Sequence, residues 1–311
     1  MILLTGGTGF VGRALARQLF DAGHPVRILL RPSQRNPALP KGVPVEVAVA
    51  SLTDERGLRA ALRGVDTIYH LAGAEQEGAR ADMLNTDIKG TETLVRAASG
   101  TNVKQFFYVS HLGADRASAF PVLKAKGIAE EYIRRGDVPY TIIRSAILFG
   151  PDDHFTTNLA RLVTLSPVLF VPPRTDILLQ PLWVEDLTTC LVWSLDNPEV
   201  VGQTYEVGGG ETFNFRQVLQ AIMGTLGVRR LLLPLSHVYL RALTVFIEDN
   251  FRGFPATSFW LDYISVNHTC ASDSIPRLFG FLPARFAYRL DHLKSVNWRT
   301  EARRLLVRRH A

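Results

Sequence analysis

The sequence predicts an α/β protein, a doubly wound parallel sheet with helices on both faces and a smaller C-terminal lobe. Three observations carry that expectation. Short apolar or β-branched runs alternate with amphipathic helical segments over the first 150 residues, the order that a parallel sheet with crossover helices produces. A glycine-rich stretch, Thr5-Gly6-Gly7-Thr8-Gly9-Phe10-Val11-Gly12, stands between the first run and the first helix. At 311 residues the chain is long enough to bury a full core and to carry a lobe beside it.

Ile2-Leu3-Leu4 forms the first strand. Segment 10–22 follows as a helix with Val11, Leu15 and Leu19 on one face, and Gly23 after it supplies the left-handed residue that ends helices. Val26-Arg27-Ile28-Leu29-Leu30 is the second strand. Strand, glycine loop, helix and strand together make a βαβ unit. A loop over 32–43 leads to a third strand at 44–49, a short helix at 54–62 and a fourth strand at 66–73 that ends in small residues. His70, in mid-strand, reads as a packed core histidine. A longer helix covers 83–99, with Leu84, Ile88, Leu94, Val95 and Ala98 as its apolar members, and 105–110 is a fifth strand rich in aromatic and β-branched residues. The sixth strand spans 141–149 and is ended by the turn chemistry of Gly150-Pro151-Asp152-Asp153.

Gly6, Gly9 and Gly12, spaced by three, let the strand turn sharply, let a pyrophosphate approach bare backbone, and let the helix pack close to the strand. The helix start, with its unsatisfied N–H groups and the positive end of the dipole, would hold the phosphates. The cofactor-binding candidates are therefore Thr5, Gly6, Thr8, Gly9, Phe10, Val11 and Gly12, with Leu71, Ala72 and Gly73 where the fourth strand ends against the cofactor. An acidic residue at the end of the second strand would accept from the ribose 2′-hydroxyl of NAD. The chain has Arg31 there, with Arg35 shortly after and Arg13 past the third glycine, and guanidinium groups suit a 2′-phosphate. NADP(H) is favoured over NAD(H); the alternative reading of these arginines is solvated surface charge.

Composition narrows the partners. Of the net charge of +6, residues from Arg289 onward contribute seven Lys/Arg against two Asp/Glu, so the remainder of the chain is nearly neutral. The basic C-terminus is either a solvated helix end or a docking element for an acidic partner or anionic lipid. No basic, aromatic-lined face argues for nucleic acid. Two cysteines, Cys190 and Cys270, form no disulfide framework or Cys-rich metal site and suit a reducing compartment. His154 beside Asp152 and Asp153 reads as a solvated turn, so no metal is expected. The first strand begins at residue 2, so no targeting peptide is expected within the sequence; the expected location is cytoplasmic, either free or peripheral to a membrane complex. Segment 231–247 is apolar but interrupted by Pro234, His237 and Arg241. Too short and too broken to span a bilayer, it reads as a helix starting at the Ser236 cap, either in the lobe core or as an amphipathic docking surface.

These residues together resemble the short-chain dehydrogenase/reductase superfamily in its extended or atypical branch. The resemblance rests on the glycine stretch, 66–73, Asn85 with Gly90-Thr91, Tyr108-Val109-Ser110, Lys126 with Glu130, Ile143-Arg144 with Phe149-Gly150-Pro151, and Gln180-Pro181-Leu182-Trp183-Val184-Glu185-Asp186. Within that branch the chain is similar to the atypical group that includes the nucleotide-binding accessory subunit of respiratory complex I. The resemblance implies a Rossmann-like dinucleotide domain over 1–150, rejoined by 181–208 through a helix at 186–193 and a strand at 203–207. Residues 151–180 and 209–311 would form a smaller substrate or partner lobe.

The resembled family also places a tyrosine four residues before a lysine that holds the cofactor ribose, and a Ser or Thr after the fifth strand. Lys126 fits that lysine, and four residues before it stands Val122; the register on Lys124 puts Phe120 there instead. Neither side chain exchanges a proton. Ser110 and His111 end the fifth strand, and an imidazole can serve as an acid near neutrality; Asp115 and Tyr140 are further candidates. Two functions stay open: a nucleotide-bound accessory subunit or assembly factor of a larger redox complex, or an NADPH-dependent reductase or epimerase that lacks the usual tyrosine.

Overall fold

The computed structural model describes residues 1–311 apart from 34–36, 75–80, 174–175, 251–254, 256, 299 and 302–311. The chain alternates β1 (Ile2–Thr5), α1 (Phe10–Asp21), β2 (Val26–Leu30), β3 (Glu46–Val49), α2 (Glu55–Ala61) and β4 (Thr67–His70). A π-helical turn (Leu84–Lys89) then runs into α3 (Gly90–Ala98), followed by β5 (Gln105–His111), α4 (Pro121–Arg135) and β6 (Tyr140–Ser145). Beyond these lie β7 (Leu148–Phe149), α5 (Thr156–Leu165), β8 (Val168–Val171), β9 (Leu178–Leu179), β10 (Leu182–Trp183), α6 (Val184–Trp193) and β11 (Gln203–Val207). The last part holds β12 (Phe213–Asn214), α7 (Phe215–Leu226), β13 (Leu231–Pro234), α8 (His237–Asn250), α9 (Ser258–Tyr263) and α10 (Ser274–Phe279).

Seven strands pair in parallel in the order β3-β2-β1-β4-β5-β6-β11. Ile2 to Thr5 lie opposite Val26 to Leu29 on one side and Thr67 to His70 on the other. The chain moves outward from β1 to β3 and then returns to β4, so a crevice opens at the carboxyl ends of β1 and β4 where the winding reverses. Consecutive strand residues alternate between two covered faces. Leu3, Ile68 and Phe106 pack with Leu58, Leu94 and Ile133 of α2, α3 and α4. Leu4, Tyr69 and Phe107 pack with Leu15, Leu19 and Leu191 of α1 and α6. In β1, β4 and β5 both faces are buried and the strands read as near-continuous apolar runs, whereas the edge strands β3 and β11 are largely open to solvent.

A separate cluster gathers Phe149, Phe155, Leu159, Val218, Ile222, Leu261 and Phe286 from segments after β6. Gln180, fully buried, joins these segments to the loop after β11: its Nε2 donates to the Gly209 carbonyl at 2.6 Å and its Oε1 accepts from Cys270 N at 2.8 Å. Among the described residues no helix is long and apolar enough to cross a membrane.

Several boundaries differ from the sequence reading. The expected strand over 141–149 is two strands, because after Ser145 the chain leaves the main sheet and Leu148–Phe149 pairs with Leu182–Trp183 in a small sheet of its own. The expected helix over 83–99 opens as a π-turn with Leu84 exposed and Asp87 buried. Segment 231–247 divides: Leu231–Pro234 pairs parallel with β8, and α8 begins after Ser236, whose carbonyl accepts from Leu240 N. Asp153 is buried and not solvated: its carboxylate accepts from Gly150 N, Thr157 N and the Thr156 hydroxyl at the start of α5.

Candidate functional site

The loop from β1 to α1 lies over the crevice. Gly6 has φ of +70°, and a Cβ there would sit 2.8 Å from the Leu71 and Ala72 backbone. A Cβ on Gly12 would sit 2.2 Å from Gly6 O. Both positions require glycine because main chain approaches main chain. Gly9 differs, since a Cβ there would meet Gly6 O alone among the described atoms, at 3.2 Å. Its open side belongs to a cleft of 230 Å³ lined by Thr5, Gly6, Thr8, Gly9, Phe10, Val11, Gly12, Arg31, Leu71, Ala72 and Gly73, with Ala50 and Leu52 as an apolar wall. α1 starts at this cleft with no side-chain cap and no acidic residue in its first turn, so its first N–H groups and positive dipole end suit an anion. The glycine cradle and uncapped helix fit a dinucleotide pyrophosphate.

Of the three arginines read from the sequence, Arg31 lines the cleft. Arg13 is directed elsewhere, donating to Thr8 O at 2.8 Å and to Asp152 at 3.4 Å. Arg35 lies outside the described residues.

Behind the cleft, a chain of hydrogen bonds links the glycine loop to Lys126. Thr91 Oγ1 donates its single proton to Asp87 O at 2.5 Å, so it must accept from His70 Nε2, 2.8 Å away. His70 Nδ1 is then the acceptor for the Thr5 hydroxyl at 2.7 Å. Thr5 Oγ1 in turn accepts from Leu71 N and Ala72 N. The network thereby assigns His70 as a neutral Nε2–H tautomer. Complete burial, reinforced by the nearby Lys126 charge, holds its pKa down at about 3. Asp87 accepts from Ala74 N at 3.0 Å and lies 3.2 Å from Lys126 Nζ. The ammonium also sits 5.5 Å from the centre of the Tyr108 ring.

α4 is anchored by Glu130, fully buried and gripped by Arg144 at 2.9 and 2.7 Å and by Arg134 at 2.7 Å. This ties α4 to β6 and fixes Lys126, one turn earlier. Val122, one turn before Lys126, lines a second cavity of 440 Å³. Met83, Leu84, Phe120, Leu123, Val245, Tyr263 and His268 share its walls.

Ser110 and His111 sit at the carboxyl end of β5, outside the residues that line the cleft. Ser110 Oγ is buried with no hydrogen-bond partner among the described residues. His111 meets the Tyr263 ring edge-on at 6.1 Å, and Tyr263 stacks on His268 at 3.7 Å. His268 Nδ1 donates to Leu112 O at 3.2 Å, and burial together with the neighbouring His111 holds the ring's pKa down at about 4. Burial pushes the Tyr263 phenol above its ordinary value. Tyr140 opens β6 at the amino end of the strand, opposite Phe106, and Asp115 is exposed and accepts from Ala117 N, so neither joins this group.

Asp87, Tyr263 and His268 were not apparent in the sequence. An acidic residue on the buried side of a helix, opposite a buried lysine, is the one signal that could have found Asp87. Tyr263 and His268 come from a stretch with no periodicity to read.

Residues 6–165, slightly more than half of the chain, match the NAD(P)H-binding family. The chain is 30% identical over 194 residues to the ceramide reductase of Caulobacter vibrioides, an alignment covering 62% of this chain and 60% of that protein; it thus spans less than two thirds of that relative. It is 24% identical over 259 residues to the mitochondrial NADH dehydrogenase (ubiquinone) 1 alpha subcomplex subunit 9 of Dictyostelium discoideum, covering 80% of this chain and 71% of the relative. The Escherichia coli NADPH-dependent quinone oxidoreductase, solved with NADPH, has the same fold, with a TM-score of 0.75 at 19% identity over 95% of this chain and 100% of that one. The chain therefore belongs to the NAD(P)H-binding family, which fits the resemblance to the atypical branch of the short-chain dehydrogenase/reductase superfamily.

Proposed function

We propose that the chain holds NADP(H) as a resident nucleotide and works as an accessory subunit or assembly factor of a larger redox complex. What supports this reading is on α4: Val122, in the cavity wall, stands four residues before Lys126, where the resembled family has its tyrosine, and Lys126 is engaged by Asp87. Tyrosine-dependent carbonyl chemistry has no donor at that place. Thr5, Gly6, Thr8, Gly9, Phe10, Val11 and Gly12 would hold the phosphates, with Leu71, Ala72 and Gly73 beside them and Arg31 at the 2′-phosphate. The outer face of α8 supplies a contact surface, since Val238, Tyr239 and Phe246 are 73, 68 and 61% exposed, more apolar surface than a helix usually leaves in water. The basic residues 303, 304, 308 and 309, outside the described residues, would add attraction to an acidic partner. A relative that is a complex I subunit supports this choice.

A second reading is a reductase with an unconventional acid, favoured by Tyr263 and His268 in the wall of the 440 Å³ cavity and by His111 against the Tyr263 ring. When bound, the nicotinamide would supply the hydride, and Lys126, Ser110 and His111 would be the groups on hand to position the substrate oxygen and donate a proton.

Native-mass measurement on protein from its own source, with the nucleotide and copurifying chains identified, separates the two. The accessory reading expects a large low-salt assembly that dissociates in the double variant Tyr239→Asp/Phe246→Asp or on truncation after Asn297. A free species at low salt, unaffected by either change, favours the reductase.

A further inference from the structure

We propose that the 440 Å³ cavity beside Val122 binds an uncharged, lipid-like molecule, with a hydrocarbon chain filling the space and a polar part that carries no charge. This goes beyond the choice between subunit and reductase, because either could use such a ligand. The volume falls within the roughly 300–1,000 Å³ of small-molecule sites. Met83 and Leu84 from the π-turn segment, Phe120, Val122 and Leu123 from the start of α4, and Val245 from α8 contribute apolar lining.

Charge narrows the ligand further. The described lining contains one cation, Arg241, and two carboxylates, Asp82 and Asp262. Arg241 Nε lies 3.4 Å from Asp262, and Asp82 accepts from Asn85 N and Nδ2 at 3.1 and 2.8 Å. A phosphate or carboxylate placed here would face net negative charge from the described lining and an arginine already committed to a partner. A sugar would bury hydroxyls against hydrocarbon. Tyr263 and His268 are the polar groups of the inner wall, and both are neutral at pH 7 because burial disfavours their charged forms. That suits a neutral oxygen.

Among the described residues the cavity shares no lining residue with the glycine cleft. Met83 and Leu84 face the cavity while Thr86, two residues on, lines the cleft. The phosphate cradle and the cavity thus lie on either side of one short segment, so the phosphates and an apolar ligand do not compete for the same described residues.

The test is calorimetric titration of the NADPH-saturated full chain with 2-alkanones of increasing length. Each added methylene should tighten binding by about fourfold, until the chain outgrows the cavity and affinity levels. Nonanoate should bind at least about tenfold more weakly than 2-nonanone, and UDP-glucose should not compete. Leu84→Asp and Val245→Asp alter positions 55 and 37% exposed, so the core stays intact; each should weaken 2-decanone binding by about tenfold or more and leave NADPH affinity unchanged. Affinity independent of chain length, equal binding of nonanoate, competition by UDP-glucose, or no effect of either substitution would overturn the proposal. NADPH titration without ketone is read separately. Failure there would sink the resident-nucleotide reading while the chain-length series on the nucleotide-free chain still decides the cavity.

Discussion

Lys126 and Asp87 form an ion pair removed from water: Nζ is 3.2 Å from Oδ1 and the side chains are 4 and 3% exposed. One carboxylate oxygen faces the ammonium and the other accepts from Ala74 N. The π-turn and α4 are joined through this pair, one on each side.

Asp87→Ala should accordingly destabilise the protein by about 3–5 kcal/mol, because it strands a buried ammonium. The double variant Asp87→Leu/Lys126→Met should recover most of that loss. Denaturant titration of both variants checks this, and a single variant as stable as the wild type would mean that the pair carries no net weight.

Arg31 should give a preference for NADPH over NADH of about ten- to a hundredfold, the worth of a charge-assisted hydrogen bond of about 1.5–3 kcal/mol to the 2′-phosphate. Arg31→Asp should erase it. Equal affinities in the unmodified protein would refute the assignment.

The glycines should separate by role. Gly9→Val should abolish NADPH binding while circular dichroism and the melting transition stay close to wild type, since Gly6 O at 3.2 Å is the sole described obstruction. Gly12→Val should instead fail to fold, as its side chain would overlap Gly6 O at 2.2 Å. Undiminished NADPH binding by folded Gly9→Val would show that the loop is not the phosphate site.

Acid should weaken the fold through His70 and His268. Their folded pKa values, about 3 and about 4, lie below the ordinary 6.5 chiefly because burial disfavours imidazolium. Between those values and about 6.5 the unfolded chain binds protons that the folded chain refuses. Their contribution is thus fully present above about 6.5 and is lost as the pH falls toward 3, at up to about 1.4 kcal/mol per pH unit for each ring. The stability margin of the wild type over His70→Gln should therefore shrink between pH 7.5 and pH 5. A constant margin would contradict the neutral imidazole.

The parts of the site readable from sequence were those that act through neighbours in the chain. Gly6, Gly9 and Gly12 serve one turn and are spaced by its geometry, and Lys126 and Val122 are one helical turn apart. The His70 link was hidden because its partners, Thr5 and Thr91, lie 65 and 21 residues away, and only the parallel register of β1 and β4 brings Thr5 opposite His70. The π-turn escaped because the apolar spacing of 83–99 suits an ordinary helix, whereas burial of the Asp87 carboxylate at that place depends on Lys126 from α4. Likewise the break after Ser145 follows from pairing with residues more than thirty positions onward, which no local run of β-branched residues reveals.

The Thr5–His70–Thr91 chain has a direction, since each hydroxyl gives its only proton onward and the imidazole passes the same sense through its ring. Reversing it would require Asp87 O to release the proton it accepts, and a carbonyl has none to return. The three protons are therefore locked in orientation, and His70 and Thr91 lie wholly out of solvent. They should resist exchange with deuterated water and give persistent resonances far downfield, while the two ring nitrogens keep widely separated nitrogen-15 shifts. The switch point of the sheet thus carries a built-in spectroscopic reporter, sensitive to any movement of β1 against β4 when the neighbouring cleft is filled.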